Sequence, residues 1–294
     1  MKLRYFLVFL SFALLAAEHV PIDPADVLLL AHFNSKQSIQ IGNIKGLIDN
    51  GEITGGETGF PFKDSSPQPE ALDLKGSGRY FAIPAKNNID PQRGTIQFLV
   101  KPRWATTGYR HCIFLHMVFD RTKRASFAWG SDNSFYIQKP HTGNVIQFTQ
   151  NANRENSTIQ TEIPYSTDTW HQITVTWDAD AKSRSFYLDG ELVGSSLYVR
   201  FPQDPEEICI GGLKTWNAQA YIDELRIIKV PLTPEQVKQD YEALFAGKEF
   251  PTPPQNRPAD IAFKPVHPPK IQEPAALTED VFNCPFIDTP PNMD

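Results

Sequence analysis

Two adjacent carboxylates, Asp223 and Glu224 in the stretch AYIDELRII, are the first residues whose types and placement suggest chemistry. Paired acids can cleave glycosidic bonds, hold a metal ion, or stand as one satisfied buried group beside one surface charge. The stretch reads as a β-strand, where side chains alternate between faces. Strict alternation puts Tyr221, Asp223, Leu225 and Ile227 on one face and Ile222, Glu224, Arg226 and Ile228 on the other. The two acids then point apart and cannot flank one scissile bond. Glu224 reads as a surface charge near Arg226, a pairing worth little. Asp223 shares its side with apolar neighbours, so its charge needs hydrogen-bond donors or a cation. The expectation is an acceptor of backbone N–H groups that pins the last strand, with a metal ligand as the alternative.

Aromatic side chains beside amides and carboxylates form the second chemistry-bearing set. Such groups bind sugars by stacking on apolar C–H faces while polar neighbours hold the hydroxyls. Trp216 and Asn217 stand in the Gly-rich connection GGLKTWNAQAY, and Trp129 ends a strand at a polar loop holding Asp132 in SFAWGSDNSFY. Tyr109 lies in ATTGYRH. These five, Trp216, Asn217, Trp129, Asp132 and Tyr109, are the ligand-binding candidates. His32, His111 and His116 alternate with apolar residues and read as satisfied core or edge groups. No histidine pair has zinc-ligand spacing, and the H-E-x-x-H and G-x-S-x-G hydrolase patterns are absent from the sequence.

The elements that must carry these residues are legible. From about Asp26 to Ala246, apolar alternation and turn signals recur every eight to twelve residues, the rhythm of an antiparallel two-sheet β-sandwich. SFYLDGELV is a hairpin with Asp189-Gly190 as a two-residue type I′ turn. LTPEQVKQDYEALFAG is a helix with Thr233 as N-cap, Pro234 at its first position and Gln236 completing a capping box. Val237, Tyr241, Leu244 and Phe245 form its apolar stripe, directed to the sheet. Beyond residue 247 periodicity is lost: 11 of the 25 prolines fall in the last 44 residues, so 248–294 reads as an extended proline-rich tail.

The N-terminus has a basic start at Lys2 and Arg4, the apolar block YFLVFLSFALLAA, and small residues Ala16 and Ala17. That order marks residues 1–17 as a secretory signal peptide, too short to span a bilayer, so the mature protein is expected outside the cytoplasm or in the envelope and not membrane-spanning. The formal charge is −6, and with Lys2 and Arg4 removed 26 bases face 34 acids, or −8. No basic run or stripe is present, which argues against nucleic acid as a partner. Three cysteines, Cys112, Cys209 and Cys284, leave at least one unpaired; the first two sit in apolar runs where a buried thiol is as consistent as a bridge.

ALDLKGSGRYFAIPA, GTIQFLVKPRW, DTWHQITVTWDADAKSRSFYLDGELVGS, ICIGG and AYIDELRIIKVPLTPEQV follow in an order and spacing that resembles the laminin-G-like, concanavalin A-like jelly-roll domains of secreted bacterial proteins. The resemblance implies a jelly-roll sandwich over 26–247 with one short C-terminal helix. It assigns Trp170, Trp177 and His171 to structure. Glycosidases of this fold carry a strand reading E-x-D-x-E or E-x-D-x-x-E, and here no Glu is followed two residues later by Asp. The resemblance also implies a structural calcium ion between first and last strands, for which Asp223 and Asn34 are the candidate ligands. The expectation is an exported, non-catalytic recognition module for an extracellular or cell-surface glycan. The alternatives are a protein-binding adhesion or scaffolding domain with an envelope protein as partner, and an atypical glycoside hydrolase.

Overall fold

The computed structural model describes residues 21–33, 39–41, 48–49, 52–55, 70–74, 79–103, 111–120, 133–141, 145–152, 155–162, 169–197, 204–212, 216–248 and 250–251. Two antiparallel sheets face each other. The first runs β14 (Glu191–Leu197), β13 (Ser183–Leu188), β12 (His171–Asp178), β7 (Arg93–Pro102), β16 (Ala220–Ile228), β1 (Val27–Ala31) and β2 (Ile39–Ile41), with β5 (Glu70–Asp73) also on β16 and β4 (Glu52–Gly55) on β5. The second runs β11 (Glu155–Glu162), β10 (Val145–Ala152), β9 (Asn133–Lys139), β8 (Cys112–Val118), β15 (Glu207–Ile210), β6 (Phe81–Pro84) and β3 (Ile48–Asp49). Neighbouring strands distant in sequence, such as β7 beside β16 and β8 beside β15, give the jelly-roll connectivity.

Alternation decides what lies between the sheets. Ile96, Phe98, Val100, Ile173, Val175 and Trp177 of the first sheet pack against Phe114, Phe135, Ile137, Phe148, Ile208 and Ile210 of the second, all nearly without solvent exposure. Trp177 is thus core, and its Nε1 donates to the Asp90 carbonyl at 3.1 Å, as a buried indole requires. Cys112 lies in this core and Cys209 in a small cluster with Ala82 and Val118; both are buried, and among the described residues they form no disulfide.

The outer face of the first sheet is covered as well. Helix α1 (Pro234–Phe245) has the expected capping box, Thr233 accepting from the Gln236 N–H and Gln236 accepting from the Thr233 N–H. Its Val237 packs with Tyr187, Ile228 and Leu232, and its Leu244 with Leu30, Leu99 and Tyr221. The β13–β14 turn is the expected one, with φ of 52° at Asp189 and 79° at Gly190. Gly190 is needed twice over, because a Cβ there would also sit 3.0 Å from Tyr241 of the helix.

Two expectations about β16 are corrected, because the strand does not alternate throughout. Asp223 pairs with Leu99 but Arg226 with Gln97, so one extra residue is inserted, and Glu224 takes φ 49° at this β-bulge. The bulge reverses the parity: Ala220 and Ile222 face the core before it, Leu225 and Ile227 after it. Leu225 and Ile227 therefore do not share the face of Asp223. Glu224 is buried at 1% exposure, not a surface charge. Beyond residue 248, Phe250 is buried among Leu30, Leu99 and Tyr221, its ring 3.6 Å from the Arg226 guanidinium carbon. The rest of the proline-rich segment, 252–294, lies outside the described residues.

Candidate functional site

The outer face of the second sheet carries polar side chains, because Phe135, Ile137, Ile146 and Phe148 take the core-facing positions of β9 and β10. The register sets Gln138 opposite Gln147 and Gln147 opposite Gln160. Directly opposite residues are close enough for their side chains to bond. Gln138 Nε2 donates to Gln147 Oε1 at 3.1 Å, and Gln147 Nε2 donates to Gln160 Oε1 at 2.9 Å. A second row lies beside the first, where the Thr149 and Thr158 hydroxyls are 2.9 Å apart and Thr149 also pairs with Tyr136. Burial raises Tyr136 above the ordinary phenol range, so its hydroxyl stays neutral.

The glutamine row begins at a histidine. His111, just before β8, has Nε2 2.8 Å from Gln138 Oε1, while its Nδ1 accepts the His141 N–H at 3.2 Å. A ring that accepts at Nδ1 and meets a carbonyl at Nε2 is the neutral tautomer protonated at Nε2. Burial chiefly holds His111 below the usual imidazole range; the bond to Gln138 opposes this, and the charges of His141 and Lys139 reinforce it. With the histidine so fixed, every bond in the row points one way, from His111 through Gln138 and Gln147 to Gln160. The exposed Gln160 amide NH2 is the outer end.

Trp216 stands at the opposite end of this row. Its ring centroid is 5.9 Å from that of His111, which is in turn 5.7 Å from that of His141. The backbone holds it there: Trp216 O accepts the Ile113 N–H of β8 at 3.2 Å. The loop closes so tightly that a Cβ on Gly212 would lie 1.7 Å from Trp216 O, so only glycine fits. Trp216 is half-buried. Asn217 is buried, and its Oδ1 accepts from Gln219 Nε2 at 2.7 Å, which shapes the loop beneath the ring.

Of the residues singled out from sequence, Trp216 and Asn217 come together with His111, while Tyr109, Trp129, Asp132 and Asn34 lie outside the described residues. The glutamine row was missed. Its signal was present in YIQK, VIQF and TIQT, each a Gln between core-facing positions, but the three meet only once the register is known.

Asp223 and Glu224 lie elsewhere, beneath Phe250 on the first sheet. Asp223 Oδ1 accepts the Glu224 N–H at 2.9 Å. Glu224 Oε1 is 2.7 Å from His32 Nδ1, and Oε2 receives the Phe250 N–H at 3.4 Å. Beside them Arg226 bonds to Gln97 and Asp240, and Gln97 also donates to Thr174. Both acids are engaged and covered, at 3% and 1% exposure. Among the described residues no group of three His, Cys, Asp or Glu could hold a metal ion. Asp223 offers one carboxylate, whereas calcium takes six to eight oxygens, so the described donors alone do not make that site.

This two-sheet arrangement with one covering helix is that of a concanavalin A-like jelly-roll sandwich. Residues 75–238 match the family model Laminin_G_3, described as the concanavalin A-like lectin/glucanases superfamily. The match covers more than half of the chain, which belongs to this family. No curated protein sequence matches the chain. Similar solved structures include the binding domain of botulinum neurotoxin serotype D, with TM-score 0.53 and 15% identity over 75% of this chain and 52% of that one. The botulinum neurotoxin type G receptor binding domain is similar at TM-score 0.52 and 15% identity, over 74% of this chain and 51% of that one. The serotype D ligand binding domain in complex with N-acetylneuraminic acid gives TM-score 0.52 and 16% identity, over 75% and 51%. The chain spans about half the length of these binding domains, and at such identity the likeness is one of fold.

Proposed function

We propose that this protein is an exported, non-catalytic recognition module that binds a carbohydrate of the extracellular space or a cell surface. The observation that carries the reading is the Trp216 ring beside His111, at the head of a one-directional row of glutamine amides. An aromatic face suits the C–H side of a sugar ring, and the amides of Gln147 and Gln160 suit its hydroxyls. Tyr109, Trp129 and Asp132, outside the described residues, are proposed as further contacts, and residues 1–17 as the export signal. The fold supports this reading because similar sandwiches include a sialic-acid complex of a toxin domain. The buried, engaged state of Asp223 and Glu224 supports a non-catalytic role, since neither acid is open to a substrate.

The test is retention of the purified mature protein on an array of polysaccharides and oligosaccharides. Retention on at least one glycan, without turnover, is the expected result. Indifference to every glycan together with capture of an envelope protein would replace this reading with a protein-binding one. Release of sugar, abolished by changing a single Asp or Glu, would make the protein a hydrolase.

A further inference from the structure

A second set of polar groups lies inside the sandwich, away from the glutamine row. Arg184 of β13 pairs across the ladder with Trp177, a core residue, and so points between the sheets. Its side chain is 1% exposed. The guanidinium carbon rests 4.5 Å from the centroid of the Phe148 ring, on the opposite sheet. Nε donates to Ser196 Oγ of β14 at 2.7 Å, and the same Oγ receives the Ser157 hydroxyl of β11 at 2.8 Å. Both terminal nitrogens, Nη1 and Nη2, have no acceptor among the described residues.

That arrangement is out of balance in two ways. A guanidinium carries five N–H donors, and four of these, on Nη1 and Nη2, are buried with no acceptor among the described residues. It is also a charge with no carboxylate against it among the described residues. Burial lowers the Arg184 pKa to about 10, which still leaves the group charged at neutral pH. The cation–π contact with Phe148 offsets part of the desolvation, on the order of 2 kcal/mol when a pair is removed from water. A buried charge without a counter-charge costs several kcal/mol. Neutral acceptors would satisfy the donors, but only an anion satisfies both deficits.

The serines are placed to complete such a site. Ser196 Oγ accepts twice, from Arg184 and from Ser157, so its own proton is free to donate. The unaccepted N–H donors of Nη1 and Nη2 and the Ser196 hydroxyl proton thus lie together at the β11–β14 edge of the sandwich. We infer that Arg184, with Ser196 and Ser157, forms a buried site for a small monovalent anion of halide size, seated between the two sheets. The anion neutralises Arg184 and ties the edge strands of the two sheets to one another.

The experiment uses the mature wild-type protein and chloride or bromide as the probe. Thermal unfolding is followed from 10 mM to 1 M sodium chloride against sodium gluconate at matched ionic strength. A bound halide raises the Tm by roughly 3 °C for each tenfold rise above its dissociation constant. Bromide-soaked crystals should show an anomalous peak within hydrogen-bond reach of Nη1 or Nη2. Arg184→Met keeps the side-chain length without the charge and should lose the halide-specific shift. If that variant does not fold, the wild-type titration and the bromide peak decide alone. Equal melting in chloride and gluconate, or crystals with water and no bromide at Arg184, would overturn the site.

Discussion

His32 Nδ1 lies 2.7 Å from Glu224 Oε1, joining the end of the first strand to the bulge of the last across 192 positions of sequence. Both side chains are buried, at 5% and 1% exposure. The other carboxylate oxygen of Glu224 reaches the Phe250 N–H, so one acid holds three distant segments together.

Replacing Glu224 with Ala therefore removes the carboxylate that a buried imidazole and the Phe250 N–H bond to, and a negative charge near Arg226. The expected loss is about 3 kcal/mol of unfolding free energy, as for other buried pairs broken on one side. Urea denaturation of both proteins measures it. A change within ~0.5 kcal/mol would return Glu224 to the class of surface acids.

Trp216→Ala should abolish glycan retention and leave the fold intact. The expected loss is about 2 kcal/mol of binding, near thirtyfold in Kd, typical of a central aromatic contact. Gln160→Ala, at the exposed end of the amide row, should weaken the same ligand severalfold. Unchanged affinity in both variants, with unchanged Tm, would move the site off this face.

The pH dependence has a definite sign at His111. Burial favours its neutral form, so its folded pKa lies below the unfolded value. Between the two values the unfolded chain binds the extra proton, and stability rises with pH there. The contribution is complete above the unfolded imidazole pKa of about 6.5 and is lost as pH falls below it. An NMR titration should find His111 titrating below the unfolded reference. Wild type should lose more stability than His111→Gln on going from pH 7.5 to 5.5. A His111 titration at or above the reference value would contradict the Nε2-protonated tautomer.

A calcium ion held by Asp223 and Asn34 is a proposal of its own, and it predicts that EDTA lowers the Tm of metal-loaded wild type but not of Asp223→Asn. The amide variant keeps an oxygen for the Glu224 N–H, so its metal-free stability should change by about 1 kcal/mol or less. A wild-type midpoint that ignores EDTA leaves Asp223 as a backbone acceptor only.

What the sequence made legible was local. The Asp189-Gly190 turn and the Thr233–Gln236 capping box announce themselves within a few residues, because turn φ angles and helix-end donors are satisfied by near neighbours. The concanavalin A-like order followed from motifs that each span one hairpin or one strand. Glu224 was misplaced because AYIDELRII has apolar residues on both parities, so alternation alone cannot reveal an inserted residue. What fixes the bulge is the partner register, Asp223 on Leu99 and Arg226 on Gln97, together with His32 from the far end of the chain. Trp216 was visible as an aromatic in a Gly-rich connection, whereas the amide row beside it exists only across three strands.

The bulge also defines what β16 would be without it. Delete Glu224 from the ladder and Ile222, Asp223, Leu225 and Arg226 fall into uninterrupted in-and-out order against β7. The sheet itself has no use for the extra residue. The residue that breaks the strand's order is the one whose carboxylate ties it to the segment at His32 and the segment at Phe250.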